Sequence, residues 1–183
     1  MPVIILIAAA IALGNAAAYN LVSFLWATPW SISGLSYILP VQLLACAIGC
    51  LGFAILFNIH GPGGLLCVLG GIVAWAVYSL ALYLSGSDLA GYFWAAVAAS
   101  LYSEIMARVR KYPAISYLVV SIFPLIPGAS IYYTMNCIIH SDMATFAAKG
   151  THTIAIAGVI AVGVLLVSTI FRLWTVWKRI HNK

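Results

Sequence analysis

Ser121-Ile122-Phe123-Pro124-Leu125-Ile126-Pro127-Gly128-Ala129 sets two prolines and a glycine in the middle of an apolar run. The run, about residues 114–140, is otherwise long enough to cross a bilayer. A lipid-facing helix cannot carry such a break, because the freed backbone N–H and C=O groups find no water. The break is tolerable where protein or a wet cavity surrounds it. It therefore predicts two half-helices, about 115–123 and 129–139, inside a helical membrane bundle.

Composition points the same way. The 183 residues are 65% hydrophobic and 6% charged, with mean hydropathy +1.13. Soluble domains carry about 25% charged residues. An all-α polytopic membrane protein follows, a single transmembrane domain over 1–183, with nothing left for a soluble catalytic or nucleic-acid-binding domain. Neither GxSxG, HExxH nor a phosphate loop occurs, and three acids leave little for metal or general acid–base chemistry, so no enzyme and no cofactor is expected. Cys46, Cys50, Cys67 and Cys137 lie in apolar runs without a CxxC and read as packed free thiols.

A bilayer core needs roughly 20 apolar residues per helix. Six segments qualify, at about 2–26, 38–57, 65–84, 89–110, 114–140 and 153–177. His60-Gly61-Pro62-Gly63-Gly64 reads as a turn, Ser85-Gly86-Ser87-Asp88 as another, and 141–152 as a polar loop. Arg108, Arg110 and Lys111 end the fourth span, while Arg172, Lys178, Arg179 and Lys183 end the sixth. Placing both clusters in the cytoplasm requires the broken segment to cross once and the last span to return. Both termini are then cytoplasmic, Asp88 and Asp142 face outside, and Lys149 is the exception. The alternative makes the broken segment a re-entrant hairpin. Small residues four apart, Ala45/Gly49, Gly70/Ala74 and Ala157/Ala161, predict close helix contacts. Trp26, Trp30, Trp174 and Trp177 suit an interfacial belt.

The half-helix after Pro127-Gly128 directs free N–H groups inward, a positive end suited to a carboxylate. The half-helix before Pro124 exposes carbonyls that can accept from an ammonium group. Together they offer both signs to a zwitterion without a buried side-chain charge. Pro124, Pro127 and Gly128, with Ser130, Tyr132, Tyr133 and Asn136, form the candidate binding set for a small polar substrate; Thr134 is a further polar neighbour. The competing reading is a proline kink that only shapes the bundle. Glu104, the acid inside a span, is a candidate proton carrier, and Arg108 four residues on is placed to pair with it. His140, Asp142, Lys149 and His152 form either an outer proton or release site or a set of solvated loop residues. His60 and Asn58 read as cap and turn, and Gln42 as an interhelical hydrogen bonder.

Three stretches then carry a resemblance. They are Glu104-Ile-Met-Ala-Arg108-Val-Arg-Lys-Tyr-Pro113-Ala114, Ile122-Phe-Pro-Leu-Ile-Pro-Gly-Ala129, and Tyr132-Tyr133-Thr134-Met135, supported by Gly52-Phe-Ala-Ile-Leu-Phe-Asn58. Over about 38–183 the chain resembles the threonine/serine exporter family, small-subunit type, which corresponds to one membrane half of the full-length exporters. The span at 2–26 lies outside that likeness. The resemblance implies a prokaryotic plasma-membrane protein exporting threonine and serine by proton antiport. It also implies a larger partner subunit with a soluble N-terminal domain; a homo-oligomer is the alternative, since one helical set is half of a two-repeat transporter. Some two-subunit members are linked to dicarboxylates such as succinate. A non-transporting scaffold subunit is the remaining rival.

Overall fold

A computed structural model describes residues 39–59, 61–139 and 143–181. These residues form six α-helices and a short 3₁₀ turn, with no strand among them. The helices are α1 (Leu39–Leu56), α2 (Pro62–Ser85), α3 (Asp88–Arg110), α4 (Ala114–Ile122), α5 (Gly128–Ile139) and α6 (Met143–His181). The span expected at 2–26 and its tryptophans lie outside the described residues, as do His60, His140, Asp142 and Lys183.

The chain punctuates itself with the residues that its turns require. After α1, Asn58 takes φ 57° and Ile59 donates back to the Ala54 carbonyl at 2.9 Å. Pro62 then opens α2, where its missing N–H costs nothing. Gly63 and Gly64 are helical rather than part of a turn. A Cβ on Gly64 would lie 3.0 Å from the Ile59 carbonyl, so glycine lets the turn fold onto the helix start. Gly86 closes α2 at φ 64°, donating to Leu82, and Asp88 sits in the first turn of α3, where a carboxylate suits the helix dipole. Lys111, at φ 56°, closes α3, and Pro113 precedes α4.

α1, α2 and α6 contain stretches long and apolar enough to cross a membrane. α3 is 23 residues long but carries Asp88, Glu104, Arg108 and Arg110. At about 1.5 Å per residue, α4 with 9 residues and α5 with 12 are each too short to span. α6 differs from expectation: it begins at Met143, so 143–152 is helix and not loop. Ala144, Ala147 and Ala148 favour helix, and the threonine hydroxyls turn back onto it. Thr151 donates to Ala147 and Thr153 to Lys149.

α3 is the centre, packing on α2, α4 and α6; α2 also holds α1 and α4, and α6 holds α5. α2 and α3 are antiparallel, with Tyr78 beside Tyr92 at one end and Tyr102 donating to the Leu66 carbonyl (2.7 Å) at the other. Gln42 accepts from Trp75 Nε1 at 3.1 Å, joining α1 to α2 as its sequence position suggests. Of the small-residue pairs, Gly70 and Ala74 are buried where α2 meets its neighbours. A Cβ on Gly49 would meet no described residue within 4 Å, and Ala157 and Ala161 line an open groove. Buried Cys50 and Cys67 donate to the Val120 and Ser116 carbonyls, each at 3.7 Å, tying α1 and α2 to α4.

Candidate functional site

α3 and α6 run parallel, and polar residues mark both ends of the pair. His152 Nε2 lies 3.7 Å from Asp88 Oδ2 at one end. At the other, Arg108 stacks over the Phe171 ring at 4.4 Å and reaches Thr175 Oγ1 at 3.5 Å. Asp88 and Arg108 are 20 residues apart, as are His152 and Arg172. Twenty residues rise about 30 Å, the thickness of a bilayer core. Parallel neighbours require the chain between them to travel from the Arg108 end to the Asp88 end. α4 and α5 do this in two steps. Ser116, Ser121 and Pro124 follow Cys67, Gly70 and Gly71 along α2, and Tyr133 and Thr134 end beside Lys149 and Gly150.

The break itself is built as the sequence implies, as two half-helices with boundaries one residue from expectation. Phe123–Leu125 tightens into a 3₁₀ turn in which Ile126 donates to the Phe123 carbonyl at 3.2 Å. Ile126 is extended, as the residue before a proline must be (φ −65°, ψ 122°). Gly128 donates to Ile126 at 2.7 Å and α5 begins. Leu125, fully buried, is the stopper: it packs among Ala74, Ala95 and Ala99 of α2 and α3. Pro124 sits against Gly71, on the α2 side.

The predicted binding residues do not share one pocket. Pro127 faces α6 with Ile122, Ile126 and Ile131 across Ala157 and Ile160, lining a groove of about 590 Å³ that is almost wholly apolar. Ser130 and Tyr133 line a second cavity of about 310 Å³ with Ala148, Lys149 and His152 of α6. Tyr132 is two-thirds exposed and lines neither. Thr134 is buried and bonds the Ser130 carbonyl at 2.7 Å, so it serves the helix. Asn136 lies on α5.

Lys149 and His152 thus leave the expected loop for a helix face, with the Lys149 ammonium 5.5 Å over the Tyr133 ring. Asp88 lies at this end of the molecule, the end where the charge pattern sets it with Lys149. It accepts from Tyr78 Oη at 2.5 Å and meets His152 of α6. No local pattern links residues 88 and 152; the span order puts them on the same side, and the contact itself is set by packing of α3 on α6. The cavity therefore has a lysine, a histidine with its aspartate behind, and two hydroxyls.

Glu104 lies one turn inside the opposite end. Arg108 Nη1 donates to its Oε2 at 2.5 Å and to its backbone carbonyl at 2.7 Å. The carboxylate is mostly covered and the guanidinium is tied to α6 through Phe171 and Thr175, so the pair is partnered on both sides.

A family model described as Threonine/Serine exporter, ThrE, matches residues 42–170. No curated protein and no solved structure matched the chain. The match takes in α2 to α5 whole with most of α1 and α6, including the break and the Asp88–His152 end, and the chain belongs to the threonine/serine exporter family of membrane transport proteins.

Proposed function

We propose that this chain is a membrane subunit of a proton-coupled exporter of small amino acids such as threonine and serine. It works in a prokaryotic plasma membrane with both termini cytoplasmic, beside a larger subunit carrying a soluble domain or a second copy of itself. The observation that carries the reading is the broken helix running from the Arg108 end to the Asp88 end, stoppered by Leu125 at its centre. A helix broken at mid-depth presents free backbone groups to a cargo, as discontinuous helices of transporters do.

In this reading the cargo carboxylate meets the α5 N-terminus beyond Pro127-Gly128. It leaves through the cavity of Ser130, Tyr133, Lys149 and His152, where Asp88 receives the ammonium group. Protonation of Glu104 removes its charge and frees Arg108, coupling proton entry to movement of α3 against α6. Purified chain, with whatever co-purifies in mild detergent, is placed in proteoliposomes carrying a pH gradient. Gradient-driven threonine flux is expected. Absence of flux from both the chain alone and the co-purified complex would sink the exporter reading.

The apolar groove beside the break favours a second reading, a scaffold whose partner holds the cargo. Cysteine at Ser130 in a background without native cysteines discriminates. Labelling by water-soluble reagents with protection by threonine supports export; no labelling supports the scaffold. Lys149 and His152 on one helix face also suit a second carboxylate, so succinate is the competitor to include.

A further inference from the structure

At the Arg110 end, the loops after α1 and α3 enclose a cavity of about 380 Å³, within the roughly 300–1,000 Å³ range of small-ligand sites. Phe57, Asn58, Arg110, Tyr112, Ser116 and Tyr117 line it. The chain has three acids. Glu104 is held by Arg108 and Asp88 lies at the far end, so among the described residues no carboxylate neutralises Arg110. Its guanidinium rests 6.0 Å over the Tyr112 ring. Around this one cation stand neutral groups that can donate hydrogen bonds: the Asn58 amide and the Ser116 and Tyr112 hydroxyls.

We propose that this cavity is the loading site of the exporter, where Arg110 captures the carboxylate of the amino-acid cargo before it enters the broken helix. The inference rests on the export reading and names the site at which cargo is first held. A second observation points along the same path. Tyr117 forms the inner wall, and Ser121 lies one turn deeper on the same face of α4. Ser121 is fully buried, and its hydroxyl has no partner among the described residues. An unsatisfied buried hydroxyl is costly unless another state of the protein gives it a partner. A cargo moving from Arg110 toward Pro124 passes Ser121, and its ammonium or side-chain hydroxyl supplies that partner. A single cation among neutral donors matches a monoanionic carboxylate. A lipid phosphate offers the same charge, and the threonine and threoninol arms of the test separate the two sources.

The test uses the full chain in native membranes, with the four native cysteines replaced by serine and Ser116→Cys as reporter. A water-soluble thiol reagent should label Cys at this position, and threonine should slow the labelling. Threoninol, which has an alcohol in place of the carboxylate, should not. Arg110→Gln should raise the threonine concentration needed for protection by about tenfold or more, and Arg110→Lys should recover part of it. A second reporter, Asn58→Cys, guards against a Ser116 variant that fails to fold. Equal protection by threonine and threoninol, or protection unchanged in Arg110→Gln, would overturn the proposal. So would loss of co-purifying phospholipid in Arg110→Gln with threonine protection intact, which would make this a headgroup site. Threonine flux in proteoliposomes without protection at either reporter removes the loading site alone. Absence of flux, with no protection here or at Ser130, removes the export reading with it.

Discussion

The Arg108 guanidinium lies 4.4 Å over the Phe171 ring, so the last turn of α3 lies beside the C-terminal part of α6. That contact fixes the route of everything between them. A chain that ends two parallel helices together must return between them, and here it returns through α4, the break and α5. The basic residues that end α3 and those in the last part of α6 consequently lie toward the same end of the molecule.

Gly70 leaves no room for a side chain. A Cβ there would run into Ser121 Oγ and come within 2.9 Å of the Tyr102 ring. Gly70→Ala should lower stability by about 1–3 kcal/mol through overpacking. Gly158, helical with nothing within 4 Å, should become no less stable on the same change. Thermal unfolding in detergent compares the two; equal behaviour would contradict the packing described.

Leu125→Ala removes the stopper between α2 and α3. Loss of a fully buried leucine costs about 2–5 kcal/mol in a core that relaxes incompletely. The change should also admit water to the break. Cysteine at Ser121, unreactive in the parent, should label once Leu125 is alanine, and continued silence would show that the seal lies elsewhere.

Glu104→Gln should abolish gradient-driven threonine flux while leaving the unfolding temperature nearly unchanged, because the pair is partly exposed and such pairs contribute about 0–1 kcal/mol. Arg108→Gln should be the more destabilising of the two, since it also loses the stack on Phe171 and the reach to Thr175. Undiminished gradient-driven flux in Glu104→Gln would remove the coupling role.

Tyr132 and Tyr133 separate the two faces of α5. Tyr133→Phe should weaken threonine protection at the Lys149 cavity, and Tyr132→Phe, outside both cavities, should leave it unchanged. His152→Ala should change stability by less than about 1 kcal/mol, its pairing with Asp88 being solvent-exposed. The same assay with reversed sensitivity of the two tyrosines would assign the cargo to the other face.

Much of the fold was legible because membrane composition leaves few alternatives. Apolar length announced α1 and α2, Gly86 and Lys111 ended their helices where turn chemistry and charge suggested, and Pro124 with Pro127 and Gly128 dictated the two half-helices. The start of α6 was not legible, because Lys149, Gly150 and His152 read as loop until alanines and threonine back-bonds are counted as helix. Nor was the division of the polar set. Ser130 and Tyr133 face α6 while Tyr132 lines neither cavity, a matter of helix rotation that composition does not encode.

The sequence by itself determined a membrane-type helical chain with a broken segment, since proline and glycine act locally on the backbone wherever they stand. Only the tertiary structure decided that Leu125 plugs the break, that Asp88 meets His152 across 64 residues of chain, and that Arg110 faces a cavity without an acid. Those relationships depend on which helices lie parallel and how each is rotated, and packing between distant segments sets both.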